Sequence, residues 1–261
     1  MPVALGLHHP RLAAVRAAVK EPPRRPGDLF LIEGAGLVAE ALAAGILPDE
    51  LYAVPASEAH PVVTAAEARG IPVFVIPERA MRRLSDLESP PGLLAIARVP
   101  PRDLSSLLQA AGTVIATADL NDPGNLGTLL RAAEALGARG FVASDRGVAL
   151  FHPKVVRAAA GASFRLPALT AAPDELASAA GTRGWTILGL DPRGEPIDRL
   201  AEPPPRAIVV VGHERHGLGR FASLCERLVA IPMPGPTESL NAAIAGALAL
   251  YELGRRPAGG A

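Results

Sequence analysis

Three turn-forming stretches carry polar residues whose types and spacing can do chemistry. In Asp119-Leu120-Asn121-Asp122-Pro123-Gly124-Asn125 the Asn, Asp, Pro and Gly residues favour a tight turn, and Asn125 is a fair N-cap for the apolar helix that follows. Arg131 comes six residues later, nearly two helical turns on, so an amide and a guanidinium can lie on one side of that helix. Such a pair can orient a hydroxyl or an anion, although a surface ion pair between Arg131 and Glu134 fits the residue types as well. The second stretch, Val209-Val210-Val211-Gly212-His213-Glu214-Arg215-His216-Gly217-Leu218-Gly219, sets Glu214 just beyond an apolar strand. Its glycines are spaced G-x-x-x-x-G-x-G, and no Gly-Lys-Ser/Thr follows. Neither the dinucleotide fingerprint nor a P-loop is therefore present.

The third stretch is Ile231-Pro232-Met233-Pro234-Gly235-Pro236-Thr237-Glu238-Ser239-Leu240-Asn241. Its alternating prolines hold the chain extended and withhold backbone donors, which makes it a shaped loop. The run after it, Ala242 to Glu252, is small and apolar almost throughout, which predicts a helix buried on nearly every side, in a core or an interface. Thr237 or Ser239 is placed to cap that helix, and Glu238, Ser239 and Asn241 bring polar atoms to unpaired backbone N–H groups. The stretch reads either as a binding site or as a proline-rich turn before a core helix.

Positioning these stretches requires a regular scaffold, and the first hundred residues alternate strands and helices. Strands are expected at Asp28 to Glu33, Leu51 to Val54, Val73 to Ile76 and Leu93 to Ala97, with helices from Leu37 to Leu42, near Pro61 to Arg69 and near Pro77 to Leu84. Arg98-Val99-Pro100-Pro101-Arg102 is polar and proline-rich and reads as an exposed linker. The boundary falls there, giving domains at 1–99 and 107–261. Thr113 to Ala118 opens the second domain as a β-branched strand.

Composition limits the function classes. A 49% hydrophobic content supports a large core, and aromatics at only 3% make that core mostly aliphatic, which favours helices on sheets. The 26 basic and 26 acidic residues cancel, so the chain is not a uniform polycation. Two stretches are locally basic, Arg11 to Arg25 and Arg146 to Arg165. Each is either a solvated helix face or a nucleic-acid footprint. The single Cys225 excludes an internal disulfide and a cysteine-cluster metal site, and is expected as a small hydrophobe in a helix. No signal peptide or membrane-length apolar run is evident, which predicts a soluble, cytoplasmic protein.

The third stretch resembles the I-P-M-x-G-x-x-E-S-L-N motif of the SpoU (TrmH-type) RNA 2′-O-ribose methyltransferases. The first stretch is similar to that family's N-D-P-G-N-L-G-x-x-x-R motif, and the second to its glycine-rich motif; all three occur in family order, joined by Pro153 to Ala162. Phe30-Leu31-Ile32-Glu33-Gly34 and Ser89-Pro90-Pro91-Gly92-Leu93-Leu94-Ala95 resemble the L30e-like substrate-binding domain found before the catalytic domain in many members. The resemblance implies an α/β fold, with a mostly parallel C-terminal sheet tied in a deep trefoil knot after a smaller L30e-like α/β domain. It implies S-adenosylmethionine held by backbone atoms at Gly212, Ile231 and Leu240, a catalytic set of Arg131, Asn125, Glu214, Ser239 and Asn241, and no metal. His213 stands where the family more often has Asn or Ser, and is given no role. The implied activity is methyl transfer to a ribose 2′-hydroxyl of RNA by a homodimer, with 23S ribosomal RNA favoured by the front domain. The alternatives are a transfer-RNA 2′-O-methyltransferase and a non-catalytic RNA-binding protein that has kept the fold.

Overall fold

The computed structural model describes residues 2–255 apart from Asp86, Ala201, Glu238 and the side chain of Ala18. Glu238, expected at the start of the last helix, thus lies outside the described residues. The chain divides into two compact units, Met1–Pro101 with Phe151–Phe164, and Arg102–Leu150 with Arg165–Ala261. Among the described residues no helix is long and apolar enough to cross a membrane.

The first unit runs β1 (Val3–Ala4), α1 (Pro10–Ala18), β2 (Leu29–Glu33), α2 (Ala35–Ala43), β3 (Glu50–Ala53), α3 (Pro61–Glu67), β4 (Val73–Val75), α4 (Glu78–Leu84) and β5 (Leu93–Arg98). Its sheet has the order β1-β4-β3-β5-β2. The strands β1, β4 and β3 are parallel, while β5 runs antiparallel to both β3 and β2. One face of this sheet buries Leu31, Tyr52, Phe74 and Ile96 against Leu12 and Val15 of α1 and Met81 of α4.

The chain continues through α5 (Leu104–Leu107), β6 (Gly112–Thr117), α6 (Pro123–Ala135), β7 (Gly140–Ser144), α7 (Pro153–Ala159), α8 (Ala162–Arg165), β8 (Ala168–Ala171), α9 (Pro173–Gly181), β9 (Thr186–Pro196), β10 (Arg206–Val211), β11 (Arg227–Ala230) and α10 (Ala242–Gly254). Residues 151–164 pack with the first unit although they lie far along the chain. Phe151 and Phe164 meet Phe30 with ring centroids 4.7 and 6.5 Å apart. Arg157 of α7 pairs with Glu33, whose side chain is 1% exposed, and Ser85 donates to the same carboxylate at 2.5 Å.

In the second unit six strands are all parallel, in the order β11-β9-β10-β6-β7-β8. The apolar runs Val114 to Ala116 and Ala207 to Val211 are buried, as sheets covered on both faces require. Trp185 reaches across this core to donate from Nε1 to the Leu108 carbonyl at 3.0 Å. Although β11 is an edge strand, α10 packs against β10, β6 and α6. The 231–241 loop must therefore run back from the sheet edge to its middle, and this path is what brings it across the strand ends.

Two sequence expectations are corrected. The Arg98–Arg102 segment is anchored rather than exposed throughout: Arg98 pairs with Asp49 at 2.8 Å, Val99 is buried, and Arg102 donates to the Leu166 carbonyl at 2.6 Å, where burial lowers its pKa. Cys225 follows a 3-10 turn at Gly219–Leu224 instead of lying in a helix, and burial pushes its thiol up to about 11. Within the single chain, α10 is buried on one side. It buries Ala242, Gly246, Ala249, Leu250 and Leu253, but Ile244, Leu248 and Tyr251 form an outward stripe at 52, 38 and 55% exposure. Gly246 lets α10 approach α6, because a Cβ there would stand 2.5 Å from a Leu129 methyl.

Candidate active site

The three polar stretches converge at the carboxyl edge of the parallel sheet, where open α/β sheets bind ligands. Two caps shape the convergence, and both differ from the sequence expectation. The cap of α6 is Asp122, which accepts from the Asn125 backbone N–H at 2.6 Å, with Pro123 opening the helix. The cap of α10 is Asn241, whose Oδ1 accepts from Ala243 and Ile244 at 2.9 and 3.3 Å, rather than Thr237 or Ser239. With Asp122 as the cap, the Asn125 side chain is free for other partners.

Asn125 uses that freedom to join all three stretches. Its Nδ2 donates to Glu214 Oε1 at 2.5 Å, and its Oδ1 accepts from Asn241 Nδ2 at 2.8 Å. The orientation of each amide is forced: Asn241 must turn its oxygen to the helix N–H groups, so its nitrogen faces Asn125, whose own nitrogen must face the carboxylate. The relay Glu214–Asn125–Asn241 thus runs from the β10 loop through α6 to the start of α10.

Beside the relay is a cavity walled by β9, the β10 loop, the end of β11 and the 231–242 loop. Gly212, Ile231, Leu240, Ser239 and Glu214 all line it, as do Val211, Val229 and Ala242. The sequence reading missed the β9 wall, Leu190-Asp191-Pro192. Hydrogen bonding from Arg193 holds the Asp191 carboxyl down to about 2. Apolar walls with a few polar groups suit a small organic ligand. Ser239 faces the cavity without joining the relay.

Gly212 has a second task. A Cβ there would come within 2.6 to 3.0 Å of the backbone of Gly217 and Leu218, so this glycine is needed for the loop to fold back on itself. That fold is closed by paired hydrogen bonds of 2.8 Å between His213 and Gly217, with Gly217 in the left-handed region at φ +57°. His213 Nδ1 accepts from the Arg215 N–H at 3.0 Å, so His213 shapes the turn.

Arg131 is exposed, does not line the cavity, and makes no ion pair or hydrogen bond among the described residues. Six residues at 100° each leave it about 120° around α6 from Asn125, so the two do not share a face. The surface pair with Glu134 does not form, because Arg165 holds Glu134 through two bonds of 2.6 and 2.9 Å. A further cluster that sequence reasoning missed secures the loops below the site. Arg220 grips Asp119 through bonds of 3.1 and 2.9 Å, also reaches Ser144 and Asp145, and so ties the ends of β6 and β7 to the turn after the β10 loop. The Arg220 hydrogen bond holds Asp119 below the usual carboxylate range and stabilises its left-handed backbone at φ +53°.

A parallel α/β unit with a polar relay beside a cavity at its carboxyl edge marks a candidate ligand site, and comparison with known proteins makes the class specific. A sequence profile described as the SpoU rRNA Methylase family matches residues 112–251, and one described as the MRM3-like substrate binding domain matches residues 16–95. An uncharacterized tRNA/rRNA methyltransferase of Mycobacterium marinum (strain ATCC BAA-535 / M) is 32% identical over 275 residues, covering 98% of this chain and 86% of the relative. The crystal structure of the SpoU methyltransferase AviRb from Streptomyces viridochromogenes in complex with AdoMet superposes with a TM-score of 0.83 at 25% identity, covering 96% of this chain and 99% of that one. A crystal structure of an RNA 2′-O ribose methyltransferase gives 0.73 at 28% identity, covering 97 and 98%. The chain belongs to the SpoU family of RNA methyltransferases, and its cofactor is S-adenosylmethionine.

Proposed function

We propose that this enzyme methylates the 2′-hydroxyl of one ribose in 23S ribosomal RNA, working in the cytoplasm as a homodimer. The observation that carries the reading is the Glu214–Asn125–Asn241 relay, which joins three chain segments beside the cofactor cavity. The bound cofactor supplies an activated methyl group and its leaving group, so the protein mainly aligns reactants and manages one weakly acidic proton. Backbone groups at Gly212, Ile231 and Leu240 hold the cofactor. The relay and Ser239 fix the loops and the substrate ribose.

Arg131 orients the 2′-hydroxyl and stabilises the charge that develops on it. A guanidinium keeps its proton, so this role is electrostatic and the substrate phosphate accepts the proton. With no partner for Arg131 among the described residues, its donors are available to RNA. The 1–99 region docks the RNA and the 107–261 region carries the chemistry, with the 231–241 loop threaded as a trefoil knot. A second copy covers the Ile244–Leu248–Tyr251 stripe, which sits on the helix packed against the one that bears Arg131. Sedimentation of a Leu248→Glu variant should show monomers where the wild type gives dimers at micromolar concentration.

Mapping ribose methylation in total RNA from a host with and without the gene tests the reaction. One 2′-O-methyl mark in 23S ribosomal RNA should disappear with the gene. A mark lost from transfer RNA instead would move the substrate, and one lost from a base would overturn the ribose assignment.

A further inference from the structure

We propose that the groove between α1 and α4 in the first unit is the seat of the RNA phosphate backbone. The proposal rests on an RNA substrate and adds where the front unit grips it. The groove is lined by Arg16 and Lys20 at the end of α1 and by Arg83 of α4, with His8 and His9 at its other end, and no carboxylate lines it among the described residues. Between these groups Ala13 and Ala17, one turn apart and exposed, leave the α1 surface low.

Two cations of these helices that lie outside the groove are already paired. Arg11 pairs with Glu50 at 3.4 Å and stacks over Phe74 at 4.4 Å, and Arg82 pairs with Glu78 at 3.6 Å. Neither lines the groove. Arg16, Lys20 and Arg83 do line it, and none of them has an anionic partner among the described residues. On a chain of zero net charge, such a concentration of uncompensated charge is a local field rather than a general polycationic character. Arg16 and Lys20 stand one turn apart, on the order of 6 Å at helical rise, and Arg83 lines the same groove from α4. Three cations from two helices with no carboxylate among them suit neighbouring phosphates of a polyanion.

The test is fluorescence anisotropy with a labelled 30-nucleotide mixed-sequence stem-loop RNA, since phosphate contacts act on any sequence. The full chain carrying Arg16→Gln, Lys20→Gln and Arg83→Gln together should bind it about 10-fold or more weaker at 100 mM salt, and the slope of log Kd against log salt should fall by about 2, for three lost phosphate contacts. Arg82→Gln, on α4 but outside the groove, should match the wild type in both. The urea unfolding midpoint, measured in parallel, should be the same in all three proteins and reports an intact fold. A triple variant with the wild-type slope, or a wild type that does not bind the RNA, overturns the groove. Methyl transfer to total RNA, assayed separately with labelled cofactor, distinguishes that failure from failure of the enzyme reading.

Discussion

The relay has a polarity, and reversing it gives a sharp test. In Asn241→Asp the new carboxylate still caps α10 and gains about 0.3–1 kcal/mol beside the helix N-terminus, but it offers Asn125 an acceptor where the wild type offers a donor. Asn125 can flip its amide to meet Asp at 241, but its oxygen then faces Glu214. Either way one acceptor meets another. Glu214 and its partners are partly exposed, so the cost belongs at the low end of a lost hydrogen bond plus repulsion, about 1–2 kcal/mol. Glu214→Gln alone costs about 1 kcal/mol, because Gln can present its oxygen to Asn125 and loses only the charge. The double variant restores complementarity with every bond reversed: Gln at 214 donates to Asn125, and Asn125 donates to Asp at 241. Urea denaturation of the four proteins should therefore give a favourable coupling of about 1–2 kcal/mol. For a chain of this size, that corresponds to roughly 2–8 °C in melting temperature. Additive single effects, within about 0.3 kcal/mol, would refute the bonding pattern.

Arg157→Ala should cost about 3 kcal/mol in denaturant unfolding, since it strands the buried Glu33 carboxylate, while Arg157→Met with Glu33→Leu should cost less. Arg131→Ala should leave S-adenosylhomocysteine affinity unchanged and lower the transfer rate at saturating RNA by roughly 10²-fold, with no rescue by Lys, whose point charge lacks the planar donor fork. A wild-type rate would make Arg131 a docking residue. The Asp119 carboxyl, held below its ordinary 3.8, gives stability that is present above that value and lost as pH falls through the lowered one. The gap in melting temperature between wild type and Arg220→Ala should thus be full at pH 6 and shrink below pH 4; a gap constant down to pH 2 would count against the pair.

What the sequence showed of the site was its local part. The three polar stretches stood out because Asn, Asp, Pro and Gly at turns have few structural alternatives, and the alternating apolar runs located most strands. Cap positions were less visible. Asp122 and Asn125 are both good caps three residues apart, yet Pro123 was a usable signal, because proline favours the first helical position and so points to the residue before it. The Arg220 cluster had no local signal: its partners lie 101, 76 and 75 positions away, and only the strand order brings them together. Residues 151–164 show helical spacing whichever unit they join. Phe30 and the buried Glu33 hold them to the first, and that choice is tertiary.

Charge is where sequence and structure differ most in what they imply about RNA. The basic stretches at 11–25 and 146–165 look like footprints when counted, but some of their charge is already paired: Arg11 is held by Glu50, Arg157 by Glu33 and Arg165 by Glu134. A cation already neutralised at about 3 Å releases little when a phosphate arrives, because the phosphate must compete with a carboxylate for the same donors. Among the cations without an ion-pair partner in the described residues, Arg16, Lys20 and Arg83 share one groove, and Arg131 is on α6. The first three can hold a backbone without reading it, and the fourth can meet a single hydroxyl, so a chain of zero net charge can keep grip and chemistry on separate units.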